Sequence, residues 1–291
     1  MENKYFGVIE GFYHRPYTFS ERGDLIKFLA HLNLNTYVYA PKSDPYHRKE
    51  YHKLYPAKKV EEFKNLNNLA QISGVYFNYA LSPGVKPDMK SIIKKISQMI
   101  ETGIKHYSLL YDDIKITLNS ENARIQTETA NELYEFLKKK VGNPILFFCP
   151  TQYCGFEESD YLKKIAENLN LEIKIFWTGP KVVSRRITEK DIDRISKIIK
   201  RKPLIWDNLF ANDYIPGVIW KFPYRGREPE IIGNVCGILI NPMNQYKMSK
   251  PLIFTAARFF LKPCNYIPKD TWREAKNIIF KIGDRLTFPP F

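Results

Sequence analysis

The chain has 291 residues, 44% of them hydrophobic and 14% aromatic, enough apolar surface to bury one large core. No stretch approaches the roughly 20 apolar residues of a membrane span, and the opening Met1-Glu2-Asn3-Lys4-Tyr5-Phe6 lacks the charged, apolar, small-residue order of a secretory signal, so a soluble cytoplasmic protein is expected. The net charge of +14 invites a nucleic-acid partner, but its clusters (Lys58-Lys59, Lys94-Lys95, Lys138-Lys139-Lys140, Lys200-Arg201-Lys202) scatter over helix faces and ends, which fits a solvated surface better than one binding face.

Short runs rich in β-branched and aromatic residues alternate with helical patterns along the chain. Tyr5 to Glu10 is followed by a helix over Ser20 to Leu32, with Ser20 as its cap and Leu25, Phe28, Leu29 and Leu32 on one face. Thr36 to Ala40 precedes a helix over Val60 to Ile72, Val75 to Leu81 one over Met89 to Glu101, and His106 to Tyr111 one over Asn122 to Lys140. Pro144 to Cys149 precedes Asp160 to Leu169, and Glu172 to Trp177 precedes Thr188 to Lys200. Pro203 to Trp206 leads through a link rich in Pro and Gly (Pro216, Gly217, Pro223, Gly226, Pro229, Gly233) to Gly237 to Ile240 and a helix over Ser249 to Leu261. Near-continuous apolar strands alternating with helices imply a parallel sheet covered on both faces, and eight such units imply a closed (β/α)8 TIM barrel. The expected organisation is a single α/β domain over residues 1–291, with a C-terminal helical segment at about 269–285 packed on the barrel.

In such a barrel the residues just past each strand gather on one rim. They are Gly11-Phe12-Tyr13-His14-Arg15, Pro41-Lys42-Ser43-Asp44, Ser82-Pro83-Gly84, Asp112-Asp113, Pro150-Thr151-Gln152-Tyr153, Trp177-Thr178-Gly179-Pro180, Trp206-Asp207-Asn208 with Asn212-Asp213-Tyr214, and Asn241-Pro242-Met243-Asn244. Amides and carboxylates that grip hydroxyls, beside aromatic faces that cover a sugar ring, suit a polyhydroxylated ligand.

The chain has no Gly-rich phosphate or dinucleotide loop, no H-E-x-x-H and no G-x-S-x-G. His47 and His52 are the only histidines near metal-ligand spacing and read as surface residues, and Cys149, Cys154, Cys236 and Cys264 form no C-x-x-C, with Cys149 and Cys236 beside apolar runs as core thiols. No metal and no cofactor are expected. What remains is the carboxylate pair ending Leu109-Leu110-Tyr111-Asp112-Asp113. Two like charges at the mouth of a core should repel, so at least one is expected to hold its proton to higher pH than a free aspartate. Neighbours in sequence cannot easily flank a sugar from both faces, as the paired carboxylates of ordinary glycosidases do. They can serve substrate-assisted hydrolysis, in which Asp113 is general acid and then base while Asp112 holds the N–H of a 2-acetamido group that acts as internal nucleophile.

Gly7-Val8-Ile9-Glu10-Gly11-Phe12-Tyr13 with Arg15-Pro16, and Asn35 to Lys42 with Asp44 to Arg48, resemble the opening of the catalytic domain of glycoside hydrolase family 84, the O-GlcNAcases and related β-N-acetylglucosaminidases. The likeness continues through Tyr111 to Ile114, Cys149 to Cys154, Trp177 to Pro180, Trp206 to Asn208, Asn212 to Tyr214 and Asn241 to Asn244. It implies a retaining exo-β-N-acetylglucosaminidase acting on a β-linked N-acetylglucosaminide of a glycoprotein or oligosaccharide. It also implies roles: Asp112 orients the acetamide and Asp113 is acid and base. Gly11 (through its backbone), Lys42, Asp213 and Asn241 bind sugar hydroxyls. Asn208 and Tyr153 contact the acetamide or reacting centre, and Trp206 walls the N-acetyl pocket. His14 and Tyr17 depart from the family's Gly and Trp, which bears on the pocket's edge. Plainer roles compete: the two aspartates could cap the next helix, Trp177 could be core filler, Asp207 could support a loop, Tyr13 and Tyr39 could pack in or over the barrel, and Asn241-Pro242 could be a simple turn. At the level of the whole chain the alternatives are a non-catalytic GlcNAc-binding barrel and a basic nucleic-acid-binding protein.

Overall fold

The apolar runs form parallel strands in the computed structural model, which describes residues 4–281. They are β1 (Tyr5–Glu10), β2 (Thr36–Tyr39), β3 (Tyr76–Leu81), β4 (His106–Leu110), β5 (Leu146–Cys149), β6 (Lys174–Trp177), β7 (Leu204–Asp207) and β8 (Gly237–Ile240). Each pairs with the next, and β8 closes on β1 with Tyr5 beside Gly237 and Val8 beside Ile240, giving the (β/α)8 barrel the sequence implies.

Helices α1 (Phe19–His31), α2 (Ala57–Ile72), α3 (Met89–Glu101), α4 (Ser120–Val141), α5 (Asp160–Asn168), α6 (Glu189–Ile199), α7 (Ile231–Asn234) and α8 (Tyr246–Leu261) lie outside the strands. Their ends follow local chemistry that periodicity alone misplaces. The cap of α1 is Thr18, not Ser20: its hydroxyl accepts from the Glu21 N–H while Glu21 reaches back to the Thr18 N–H, a reciprocal box that starts the helix at Phe19. Thr188 makes the same box with Asp191 and so stands just before α6. Between β7 and β8 the Pro- and Gly-rich link holds a single 3-10 turn at Asn208–Phe210 and the short α7 among the described residues. A further helix, α9 (Pro268–Lys281), lies along α8, with Ala275 buried, Trp272, Ile278 and Ile279 against the core, and Glu274 paired with Arg258. The rest of the segment expected to 285 lies outside the described residues. Among those residues no helix is long and apolar enough to cross a membrane.

The period-2 alternation of strands sorts residues into two layers. One cluster, including Ile9, Val38, Ala40, Ala80, Leu110, Phe147, Phe176, Trp206 and Leu239, fills the barrel, while the larger one lies between strands and helices. Two residues further along the same inward parity come Gly11, Lys42, Asp112, Cys149, Thr178, Asn208 and Asn241. The barrel therefore brings the Gly11 backbone and the other six side chains to one place.

Candidate active site

They line a cavity of about 520 Å³ at the C-terminal ends of the strands, within the range of small-ligand sites. Asp113, Tyr153, Trp206 and Asp213 complete the set, so all the site residues expected from the sequence meet there, joined by Tyr13, His14 and the loop residues Val182, Val183 and Tyr214.

Asp112 and Asp113 leave β4 into different surroundings. Asp112 continues the inward face and is buried. One carboxylate oxygen, Oδ2, accepts from the Lys42 ammonium, and the other, Oδ1, is buried and meets no donor among the described residues. Asp113 takes a left-handed backbone conformation, φ +57°, which is costly for a residue with a Cβ and turns it out of the strand line toward the mouth. There the Tyr13 hydroxyl donates to Oδ2 and the Tyr153 hydroxyl to Oδ1, each at 2.7 Å. Partial burial alone would raise the Asp113 pKa, but these two hydroxyls and then the charges of Lys42 and Arg48 outweigh it and hold the carboxyl below its usual range. At Asp113 the outcome is the opposite of the raised pKa expected of the pair, so it rests as a carboxylate, while Asp112 is ion-paired with Lys42. Neither aspartate caps α4, whose cap is the side chain of Asn119, accepting from the Asn122 N–H. The phenols stay protonated as donors. Burial and the neighbouring Asp113 carboxylate push Tyr13 to about 12 and raise Tyr153 as well.

The opposite wall is a chain of amides. The Gly11 N–H donates to Asn241 Oδ1 (3.1 Å), Asn241 Nδ2 to Asn208 Oδ1 (2.9 Å), and Asn208 Nδ2 to the Val182 carbonyl (2.8 Å). Asn241 is therefore more than a turn residue, and the Gly11 N–H is already engaged. Gly11 has to be glycine: a Cβ there would lie 2.2 Å from the Trp206 indole, which packs directly over it. The Lys42 ammonium sits 5.1 Å from the Trp206 ring centre, and the buried indole Nε1–H has no partner. Cys149, also lining the cavity, is a buried thiol whose pKa burial and then Asp112 raise well above normal, so it stays neutral.

Asp213 holds the mouth together. Its Oδ2 accepts from the Tyr13 N–H at 2.8 Å, and its carbonyl lies 3.1 Å from His14 Nε2. His14 has φ +69°, a left-handed backbone that favours glycine. It does line the cavity. Tyr17, the other departure, does not touch it: the side chain is buried behind the rim, donating to the Met243 carbonyl at 2.7 Å and packing on Phe12 and Tyr246.

Several rim residues serve structure instead. Trp177 donates to the Gly155 carbonyl and packs on Phe156, away from the cavity, and Asp44 caps a turn and accepts from Tyr39 and Tyr55. Asp207 supports its loop through Leu209, Tyr224 and Arg227. His47 is not the surface residue expected but is buried against the Pro41 carbonyl, where desolvation lowers its pKa to about 4. Among the described residues no group of three or more His, Cys, Asp and Glu could hold a metal ion. The residue that sequence reasoning missed is Tyr13, which it read as packing. Inward parity carried from Ile9 through Gly11 to Tyr13 is the signal that finds it.

A closed parallel barrel whose C-terminal mouth holds two carboxylates, a lysine, an amide wall and an indole is the architecture of a (β/α)8 enzyme with its site at the usual face. The family described as beta-N-acetylglucosaminidase matches residues 6–287, and the chain belongs to that family. It is 36% identical over 284 residues to the Protein O-GlcNAcase of Rattus norvegicus and, equally, to that of Mus musculus, covering 91% of this chain and 31% of each relative. An O-GlcNAc hydrolase variant from Thermobaculum terrenum superposes with a TM-score of 0.91 at 32% identity, covering 96% of this chain and 64% of that one. CpGH84B superposes with a TM-score of 0.89 at 31% identity, covering 95% and 51%. The chain thus spans about a third of the curated relatives it matches.

Proposed function

We propose that this chain is a retaining exo-β-N-acetylglucosaminidase, removing terminal β-linked N-acetylglucosamine from a glycoprotein or oligosaccharide with the sugar's own 2-acetamido group as nucleophile. The observation that carries this reading is the buried, partnerless Oδ1 of Asp112. A desolvated carboxylate oxygen without a donor is expensive in a purely structural role. An acetamide N–H placed against it satisfies that oxygen, while Lys42 keeps the other in place and Trp206 covers the acetyl group.

In this reading the acetamide oxygen attacks C1, the glycosidic C–O bond breaks, and Asp113 gives its proton to the leaving oxygen. The resulting oxazolinium carries positive charge, which Asp112 stabilises through the N–H. Asp113, now a carboxylate, takes a proton from water as the water attacks C1, and the acetamide is regenerated. To donate first, Asp113 must gain a proton. A bound sugar supplies the push, because it excludes water and sets a glycosidic oxygen where a tyrosine hydroxyl now donates, both of which raise the carboxyl pKa. Asp213 and Asn241 keep polar atoms free toward the cavity for sugar hydroxyls. The Gly11 N–H is occupied, so Gly11 offers a sugar its carbonyl. We read the described barrel with α9 as one catalytic unit. The four cysteines, all unpaired, suit a reducing, cytoplasmic setting.

The test is turnover of nitrophenyl and alkyl N-acetyl-β-glucosaminides. We expect the rate to fall steeply as the N-acyl group is fluorinated, and Asp113→Ala to lose far more on the alkyl substrate, whose poor leaving group needs the proton. A flat response to fluorination would place the nucleophile on the protein instead. Sugar binding without turnover would leave a glycan-binding barrel.

A further inference from the structure

Beside the sugar cavity is a second depression of about 250 Å³, set between the loops that follow β2, β3 and β4 and sharing the Asp112 wall with it. Arg48, Lys49, Tyr51, Ser82 and Ile114 form its other sides. Arg48 is half-buried, yet among the described residues no carboxylate forms an ion pair with it. Its guanidinium lies 5.5 Å from the Tyr13 ring centre and makes a long 3.4 Å contact to the Lys42 carbonyl. Arg22 and Arg227, the buried arginines elsewhere in the barrel, each grip a carboxylate with two nitrogens. Lys49 stands exposed at the edge, and the Ser82 hydroxyl, more than nine-tenths buried, has no hydrogen-bond partner among the described residues. A partly desolvated guanidinium with unused donors, a second cation and an unsatisfied hydroxyl around one hollow fit an anionic group, which a guanidinium binds through two parallel N–H bonds.

The position of the hollow says which anion. Ile114 follows the general acid of the proposed reaction, and Arg48 contacts the tyrosine that donates to that acid, so the hollow lies on the side where a leaving group would depart. We propose that it is an aglycone subsite for an acidic peptide, receiving a carboxylate or phosphate borne close to the glycosylated residue. The proposal rests on the glycosidase reading above and names its substrate class. The chain's net charge of +14 works in the same direction, steering acidic partners toward it.

Two synthetic peptides with the same O-GlcNAc serine, flanked by aspartates in one and asparagines in the other, test it. We expect kcat/KM to favour the acidic peptide about ten-fold at low salt, the worth of one charged hydrogen-bonded contact, and the gap to close as salt rises. Lys49→Glu should leave turnover of a nitrophenyl N-acetylglucosaminide unchanged while abolishing or reversing the preference, and Arg48→Gln should lower the acidic-to-neutral ratio whatever it does to the basal rate. Equal rates on the two peptides, or a preference that survives both substitutions, overturns the subsite while leaving the glycosidase standing. Should the protein hydrolyse neither peptide, calorimetric binding of the same pair decides the subsite: tighter binding of the acidic peptide that Lys49→Glu removes keeps it, and equal binding sinks it, while the glycosidase falls only if the nitrophenyl N-acetylglucosaminide is not turned over either.

Discussion

Two strand ends on opposite sides of this barrel each place an aspartate beside a cation, and only one of them completes the match. At the end of β7, Asp207 accepts from both Nε and Nη2 of Arg227, from the Tyr224 hydroxyl and from the Leu209 N–H, at 2.6–3.0 Å. Burial by itself would lower the Arg227 pKa, but the Asp207 charge overrides it and raises it. Glu10 at the end of β1 is held the same way by Arg22, Tyr37 and the Tyr17 N–H. Past the end of β4, Asp112 has Lys42 on one oxygen and, among the described residues, no donor on the other. Strand parity explains the contrast. Glu10 and Asp207 point away from the barrel axis, toward the helices, where a carboxylate is tolerated only if it is fully paired. Asp112 points inward at the open mouth, where an unmet acceptor waits for a ligand.

The sharpest break of that contrast is to remove one partner from the completed pair. Arg227→Met leaves Asp207 buried and uncompensated and should cost about 3–5 kcal/mol of unfolding free energy, a fall in thermal midpoint on the order of 10 °C. Thermal unfolding followed by circular dichroism measures it, and a fall of only a degree or two would mean that the cluster is not what holds the β7 corner. Asp112→Asn should weigh on activity far more than on stability. The shape is kept and the amide oxygen can still accept from the Lys42 ammonium, but that buried cation loses its countercharge, so the unfolding free energy should fall by about 1–3 kcal/mol, less than for Arg227→Met. Turnover of an N-acetylglucosaminide should drop about 10²–10³-fold, the usual cost of losing an oriented electrostatic partner of the transition state. If Asp112→Asn costs as much stability as Arg227→Met while the folded variant keeps its activity, Asp112 is a structural carboxylate and not the one that meets the sugar.

The barrel was legible because each strand is buried on both faces and so reads as an unbroken apolar run, with helices of clear periodicity between most of them. The site was legible because its residues cluster just after those runs, where a barrel collects them. What sequence did not show is which rim carboxylate is satisfied. Asp207 and Asp112 look alike in a string of letters, since their partners, Arg227 and Lys42, come from distant loops. For the same reason the sequence did not show that Asp113 is held below, not above, the usual carboxylate range: Tyr13 and Tyr153, which donate to it, come from other strand ends, and Lys42, 70 residues from Asp112 in sequence, is in contact with Asp112. The left-handed turn at Asp113 separates the two neighbours, and no residue type announced it. His47 looked like a surface residue because its short segment is polar, while the turn made by Asp44 folds its ring under the loop.

The smallest expected effect probes what the two phenols do to Asp113. Tyr13 donates to a carboxylate, which favours the charged form, so Tyr13→Phe removes a stabilising bond and raises the Asp113 pKa. In the proposed reaction the free enzyme needs Asp113 protonated for the first step. The limb of the kcat/KM profile that falls with rising pH should therefore move to higher pH in Tyr13→Phe. Tyr224→Phe deletes an equally short hydroxyl bond, but to Asp207 in the completed cluster. It should leave the limb in place and cost about 1 kcal/mol or somewhat more in stability. A limb that moves in both variants would show that the profile follows general loosening of the barrel. One that moves to lower pH in Tyr13→Phe would show that the phenol holds the acid in its neutral form, and the order of proton transfers at Asp113 would have to be redrawn.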